Sequence, residues 1–349
     1  MPIALFEKYP QLVDRIPWVR LGSFPTPVQP LSLGRNDLFI KRDDLSAQPY
    51  GGNKVRKLEF LLAAARQRGA RRLITVGAAG SHHALATTIF GRQLGFEVTL
   101  VLFPQPLTDH VREILLLDVA YGAELRFTRR METVPAALFA TTMRYRGEKA
   151  VVIPAGGSDA VGTLGYVNAA LELAGQIRAG DAVQPATIVL AAGTLGTAAG
   201  LALGFALADI PVRIIAARIT SRIVTNERVL NRLIRGAEDI LRRAGLQGTH
   251  AERAIASVEL RHEHLGRGYG IATEEADAAT TTFQQIGIHL DPTYTAKAAA
   301  ALLHNAETAT GPVLFWHTLS AAEPPLPAHV SIDNLPAPFK SYVQESRPI

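Results

Sequence analysis

The chain has no cysteine among its 349 residues, which removes disulfides, thiolate metal sites and a cysteine nucleophile in one step. Any covalent catalysis must use another group. Charge is also sparse: Asp, Glu, Lys and Arg make up 19% of the residues against 48% hydrophobic ones, a balance that excludes the disordered class and implies well-filled cores. The surplus of +5 is scattered, with only short clusters such as Arg71-Arg72 and Arg129-Arg130. These read as solvated faces, so no nucleic-acid partner is expected. The N-terminal MPIALFEKYPQLVDRIPW is broken by charges and prolines before a signal-type core can form. The uncharged stretch from Ala182 to Ala208 is long enough to span a bilayer, but Gly193, Gly196, Gly200 and Gly204 and three threonines interrupt it. It reads as a buried strand, turn and helix, with no membrane partner expected and a cytoplasmic location as the default.

What is present is an alternation. The apolar runs LITVG (73–77), VTLVLF (98–103), VVIPAG (151–156), TIVLAAG (187–193), VRIIAARI (212–219) and VLFWHT (313–318) are short and rich in β-branched residues, as buried parallel strands are. Between them lie Lys54 to Arg68, Ser81 to Leu94, Thr163 to Gln176 and Thr197 to Ala208, Ala-rich and apolar at helical spacing. Strand and helix in alternation predict an α/β fold with parallel sheet. The length exceeds that of a single core, so two lobes with a site between them are expected. Several runs end in Gly-rich turns that lead straight into helices, where open α/β sheets bind ligands: GAAGSHH, PAGGSDAVGTLG and AAGTLGTAAG. The proline-rich stretch from Pro324 to Pro338 reads as an extended tail crossing the surface.

Two of these turns carry chemistry. In LFIKRDDLSAQPYGGNKVRKLEFLLAAARQRGA a Gly-Gly turn delivers Lys54 at the first turn of a helix. The positive helix end disfavours the protonated amine and so favours a nucleophilic or imine-forming lysine. Taken alone, such a lysine is more often a surface residue, and its neighbours Arg56 and Lys57 read as solvent-facing or structural. The loop Gly193-Thr194-Leu195-Gly196-Thr197 follows a strand and opens a helix, so its N–H groups and two hydroxyls converge on an anion such as phosphate. It lacks the lysine of a nucleotide P-loop and the G-x-G-x-x-G spacing, which leaves ATP and NAD poorly supported.

The Lys54 segment together with IPAGGSDAVGTLGYVNAALEL, GYGIATEEADAA and LDPTYTAKAAAALL resembles the family of D-cysteine desulfhydrase and 1-aminocyclopropane-1-carboxylate deaminase, within the fold-type II pyridoxal-phosphate (PLP) enzymes. The blocks lie in the family's order, and the resemblance runs from Thr26 to Thr318. It implies two open, twisted, mostly parallel sheets with helices on both faces: a large PLP-binding domain of residues 1–54 and 161–349, and a small domain of residues 55–160. It further implies Lys54 as the Schiff-base lysine and proton shuttle, with Asn53 beside it. Gly193, Thr194, Leu195, Gly196 and Thr197 would hold the cofactor phosphate. Tyr294 would lie near the cofactor ring, Tyr269 would be a second active-site tyrosine, and Thr318 would approach the pyridine nitrogen. Ser81 would belong to the loop that receives the substrate carboxylate. A homodimer and a small amino-acid substrate follow from the same resemblance.

The chain also departs from the family. Ser81-His82-His83 stands where the family has Ser-Asn followed by His or Gln, and the absent Asn is the residue that hydrogen-bonds the cofactor's phenolic oxygen. His82 could replace that bond, titrate near neutral pH as an acid or base, or be a loop residue without a chemical role. Adjacent histidine side chains diverge and no carboxylate cluster accompanies them, so a metal site is not expected. Thr295 replaces a glutamate of the deaminases, which argues against cyclopropane opening, and Leu319-Ser320 replaces Gly-Gly. The expected activity is β-elimination most like that of D-cysteine desulfhydrase, giving pyruvate, ammonia and sulfide. Two alternatives remain: β-replacement, racemisation or a specialised biosynthetic step on PLP, and a catalytically silent amino-acid-binding relative.

Overall fold

The computed structural model describes residues 3–345. Ten strands form two sheets. The first takes β1 (Val28–Pro30), β2 (Leu38–Arg42), β7 (Thr187–Ala192), β8 (Arg213–Arg218), β9 (Val258–Arg261) and β10 (Val313–His317), in the spatial order β1-β2-β10-β7-β8-β9. The second takes β3 (Arg72–Ala78), β4 (Glu97–Phe103), β5 (Ala123–Phe127) and β6 (Val151–Ile153), in the order β5-β4-β3-β6. Every pairing is parallel except β1 with β2. All six strands expected from the apolar runs are present, five of them within a residue at each end, while the run 151–156 forms a strand only over Val151–Ile153 and then turns. The loops that follow β2, β3, β6, β7 and β10 leave from the carboxyl ends of their strands, the edge at which parallel sheets present ligand sites.

The helix Asn53–Gln67 lies between the two sheets' cores. Its Phe60 packs in the core of the large sheet, while Val55, Leu58, Leu61 and Leu62 pack in that of the small one. A helix clamped from both sides cannot keep a solvated face, so Arg56, Lys57 and Glu59 are buried as well. Of the two readings of Arg56 and Lys57, solvent-facing or structural, burial leaves the second. Arg56 is bonded on one side to Asp43 (2.7 and 2.9 Å) and on the other to Glu172 (2.8 and 3.0 Å), and Lys41 completes the group at 2.7 Å from Glu172. Trp316 Nε1 and Tyr166 Oη also donate to Asp43. Arg72 departs from expectation too: it is buried at the base of β3 and bonded to Glu148 and Glu124.

The glycines of the stretch from Ala182 to Ala208 serve packing. A side chain on Gly200 would come within 2.4 Å of Tyr166 Cβ and 2.5 Å of the Thr163 carbonyl, so the helices Gly196–Ala208 and Ala160–Ala179 meet almost backbone to backbone. That contact seats the first turn of Gly196–Ala208 firmly at the end of β7. Among the described residues, no helix is long and apolar enough to cross a membrane.

The proline-rich stretch from Pro324 to Pro338 is extended over much of its length, but it ends in the helix Ala337–Glu345. Leu335, Phe339 and Val343 insert into the core of the small sheet, with Phe339 fully buried against Phe127 at a ring separation of 4.9 Å. Tyr342 Oη donates to the Gln105 carbonyl at 2.6 Å, bracing the loop after β4.

Candidate active site

Lys54 is delivered by a turn pressed against the end of β10. Gly52 takes φ 80°, and a side chain on it would lie 2.7 Å from the Thr318 carbonyl. The Asn53 N–H donates to that carbonyl at 3.1 Å, and the Gly51 N–H donates to Ser320 Oγ at 2.7 Å. Thr318 therefore adjoins the start of the lysine helix, and Ser320 uses its hydroxyl to fix the Gly-Gly turn. Lys54 itself is half-buried. Burial lowers its amine from 10.5 to about 8, against an opposing pull from Asp291. Its Nζ donates to Asn53 Oδ1 at 2.5 Å, and Asn53 Nδ2 donates to Thr197 Oγ1 at 3.2 Å.

Thr197 belongs to the Gly193–Thr197 loop, so the lysine and the anion loop are joined by a single side chain. Leu195 holds the left-handed conformation (φ 67°) at the N-cap of Gly196–Ala208, a strained geometry for a branched residue. Among the described residues the N–H groups of Thr194, Leu195 and Thr197 make no backbone hydrogen bond. A side chain on Gly196 would come within 2.6 Å of Ser158 Oγ and 3.1 Å of Lys57 Nζ, so the cup is open only because that residue is glycine. Unbonded donors at a helix N-terminus around a glycine-lined hollow fit a phosphate group.

Lys57 was missed in the sequence. It is 2% exposed, and its Nζ donates to the Gly156 carbonyl at 3.1 Å and to Ser158 Oγ at 3.0 Å. Ser158 in turn shares a 2.7 Å hydrogen bond with Thr194 Oγ1. Burial first, then the nearby Lys54, hold the Lys57 amine well below its ordinary range. Its signal was its position three residues after Lys54, which places both amines on one helix face.

Ser81 caps the helix His82–Gln93, its Oγ accepting from the Ala84 N–H at 3.3 Å. The two histidines after it diverge. His83 is buried in the small sheet's core, with Nε2 3.0 Å from Thr75 Oγ1, which itself donates to the Ile153 carbonyl. His82 lies between two rings, Tyr50 stacked at 6.2 Å and His110 at 4.9 Å, with a hydrogen bond between its Nδ1 and Tyr50 Oη. Burial, followed by His110, depresses His82 to about 4 while Asp291 opposes the shift. It is a neutral imidazole at physiological pH, so titration near neutrality does not suit it.

Tyr269 and Tyr294 meet at 2.7 Å between hydroxyls, their rings edge to face. Tyr294 is fixed by Asp291, whose carboxylate accepts from the N–H groups of Thr293, Tyr294 and Thr295 and from Thr295 Oγ1 at 2.8 Å. The Thr295 hydroxyl is thus engaged within its own turn. Tyr269 is fixed by Lys297, whose buried Nζ donates to the carbonyls of Leu265 (2.7 Å) and Gly268 (3.1 Å). A side chain on Gly193 would lie 3.3 Å from Tyr294 Cε1, which puts the tyrosine pair beside the anion loop. Asp291 was not singled out in the sequence, yet its charge acts on Lys54, His82, Tyr269 and Tyr294 alike.

The chain is similar to known proteins over most of its length. A family model described as "Pyridoxal-phosphate dependent enzyme" matches residues 19–318. A D-cysteine desulfhydrase of Klebsiella pneumoniae subsp. pneumoniae is 36% identical over 327 residues, covering 88% of this chain and 95% of the relative. One of Salmonella schwarzengrund is 34% identical over 324 residues, covering 88% and 94%. Among solved structures, an ACC deaminase homologue superposes with a TM-score of 0.75 at 32% identity, covering 92% of this chain and 96% of its own. The processed form of threonine deaminase isoform 2 from Solanum lycopersicum shares the fold alone, with a TM-score of 0.62 at 16% identity and coverage of 90% and 89%.

Proposed function

The chain belongs to the family of pyridoxal-phosphate-dependent enzymes and has their type II fold, and from that premise we propose that it is a lyase that eliminates a leaving group from Cβ of a small amino acid. D-cysteine is the substrate the relatives favour, with water entering and pyruvate, ammonia and sulfide leaving. The reading rests above all on the continuous path from Lys54 Nζ through Asn53 to Thr197, which sets a nucleophilic amine at a fixed reach from an anion cup.

The residues present fit the cofactor. Lys54 would hold it covalently, and Gly193 to Thr197, backed by Ser158 and Lys57, would take its phosphate. When bound, PLP supplies an electron sink for the charge left at Cα when a proton is removed. The chain's own groups do the rest. The released Lys54 amine, with a pKa near 8, takes the Cα proton and returns it where the leaving group needs it. Ser81 and the backbone of its loop receive the carboxylate, held in place by the helix cap. The Tyr269–Tyr294 pair closes the face opposite and presents a hydroxyl to the leaving group. Thr318 would offer its hydroxyl to the ring nitrogen, and a hydroxyl there would leave that nitrogen largely unprotonated, which suits an elimination that collapses quickly. His82 would give the ring oxygen the hydrogen bond that an amide gives elsewhere in the family. A cytoplasmic homodimer is the working form we propose.

The test is the absorption spectrum of the PLP-loaded protein before and after addition of D-cysteine, with pyruvate and sulfide assayed in the same cuvette. A visible cofactor band with both products accumulating is the expected result. A band that shifts without products would transfer the substrate elsewhere, and the replaced residues His82 and Ser320 then favour β-replacement or racemisation, which product analysis separates. A protein that cannot be charged with PLP would overturn the reading in favour of a silent binding relative.

A further inference from the structure

His82 and the pair Leu319-Ser320 are separate departures in sequence, 237 positions apart between His82 and Leu319. In the fold they meet at the dipeptide Tyr50-Gly51. Tyr50 bonds His82 through its hydroxyl, and Gly51 bonds Ser320 through its N–H. Tyr50 is 4% exposed, and its backbone has little freedom. The Gly51 N–H is tied to Ser320 Oγ, Gly52 N–H donates to the Asp43 carbonyl at 3.0 Å, and Ser46 Oγ donates to the Gly52 carbonyl at 3.0 Å. A side chain on Gly51 would lie 2.5 Å from the Asp44 carbonyl, so the segment is also packed shut.

We propose that Tyr50 is a positioning residue for His82: its hydroxyl donates to Nδ1, places the ring proton on Nε2, and so makes His82 a neutral, single-proton donor aimed at the cofactor's ring oxygen. This rests on the PLP reading above. The direction of the bond follows from an account of protons. Among the described residues, His82 Nδ1 is the sole hydrogen-bond partner of Tyr50 Oη. If Nδ1 carried the proton, the phenolic O–H would be left buried without an acceptor, at a cost of about 1–3 kcal/mol. With the phenol donating, one bond satisfies both groups, and the second ring nitrogen must carry the proton because a neutral imidazole has one. The phenol keeps its proton, since burial first and then the nearby carboxylates Asp118, Asp291 and Glu113 push its ionisation well up. Nε2 makes no hydrogen bond within the protein among the described residues, so the donor is left for a ligand. The other tautomer, with its proton on Nδ1, would offer a lone pair at Nε2 instead, and two acceptors would then face each other. Tyr50 excludes that tautomer, a choice that the amide of the family, with its fixed donor and acceptor, does not pose.

The experiment uses the cofactor-free full chain labelled with ¹⁵N in its histidines, where the two ring nitrogens report their protonation separately. Wild-type His82 should show a protonated Nε2 and an acceptor-type Nδ1 across pH 5.5 to 8.5. Tyr50→Phe should give averaged, mixed-tautomer shifts and weaken PLP binding by roughly tenfold. In a His82→Asn background, Tyr50→Phe should leave PLP affinity unchanged. A proton on Nδ1 in the wild type overturns the proposal without any variant, as does a Tyr50→Phe chain that keeps the tautomer, or equal losses in both backgrounds. Because the resonances are read without cofactor or substrate, failure to consume D-cysteine would count against the proposed reaction and leave this inference standing.

Discussion

Asn53 bonds Thr197, at the start of the helix that follows the neighbouring strand β7, at 3.2 Å while its other side-chain atom receives the amine of Lys54 at 2.5 Å. One amide thus sets the distance between the nucleophile and the anion cup, and does so before any ligand arrives. Asn53→Ala removes both bonds at about 1 kcal/mol each. The expected loss is roughly tenfold in PLP affinity, read by titration of the visible band, together with a slower capture rate.

The position of Lys54 on the pH scale sets how fast it captures PLP. With the amine near 8, the neutral fraction and hence the capture rate should rise roughly tenfold per unit up to that pH and then level off. An ordinary lysine would keep rising to about 10.5. The depressed value also fixes a stability trend: between about 8 and 10.5 the unfolded chain holds a proton the folded one lacks, so the cofactor-free protein should gain stability as pH rises through that window. Lys54→Ala should lower turnover by at least ~10²-fold, measured as pyruvate release, and weaken the trend in urea titrations, the depressed amine of Lys57 keeping its own share.

Gly196→Ala tests the anion cup with a single carbon. The added Cβ faces Ser158 Oγ at 2.6 Å and Lys57 Nζ at 3.1 Å. PLP affinity should fall by more than tenfold, whereas alanine's helix propensity leaves thermal stability within a few degrees of the parent. Equilibrium dialysis and calorimetry separate the two effects.

Lys297→Met should release the loop that carries Tyr269. The carbonyls of Leu265 and Gly268 lose their buried donor, at about 1–3 kcal/mol. Turnover should drop several-fold with PLP affinity unchanged, because Lys297 touches the tyrosine pair's support and not the anion loop.

Arg56→Met strands the carboxylates of Asp43 and Glu172 in the core and should cost about 3–5 kcal/mol in urea unfolding. Arg56 also explains an acid limit. Although burial opposes it, the guanidinium with Lys41 and Trp316 lowers Asp43 from 3.8 to about 2, so the stability Asp43 contributes is full above pH 3.8 and is lost as pH falls toward 2.

The strands legible in the sequence were those with an unbroken apolar centre, any charge standing only near the ends of the run as Arg213 and Arg218 do. β2, β5 and β9 escaped because LFIKR, AELRF and VELR carry charges, and a charge in a run ordinarily marks a solvated edge. In β2 the charge is buried instead: Lys41 is fully enclosed, neutralised by Glu172 from a helix 131 residues away, which no local pattern could reveal. The same long-range pairing hid Arg56. The site residues carried over by resemblance cluster in the fold, since Lys54, Asn53, Thr197, Thr318, Tyr269 and Tyr294 are joined by hydrogen bonds or contact. Asp291 and Tyr50 went unnoticed because their importance lies in what they orient, and that depends on neighbours distant in sequence.

The helix Ala337–Glu345 gives the chain an order of assembly. The small sheet is complete in sequence by Ile153, yet its core is closed by Leu335, Phe339 and Val343, which leave the ribosome after every strand of both sheets. Until then a hydrophobic seam on the first-made half stays open to water and to chaperones. Residues made after both sheets are therefore the ones that seal the smaller of them, and a ribosome stalled after β10 would hold a nascent chain with both sheets made and one of them unsealed.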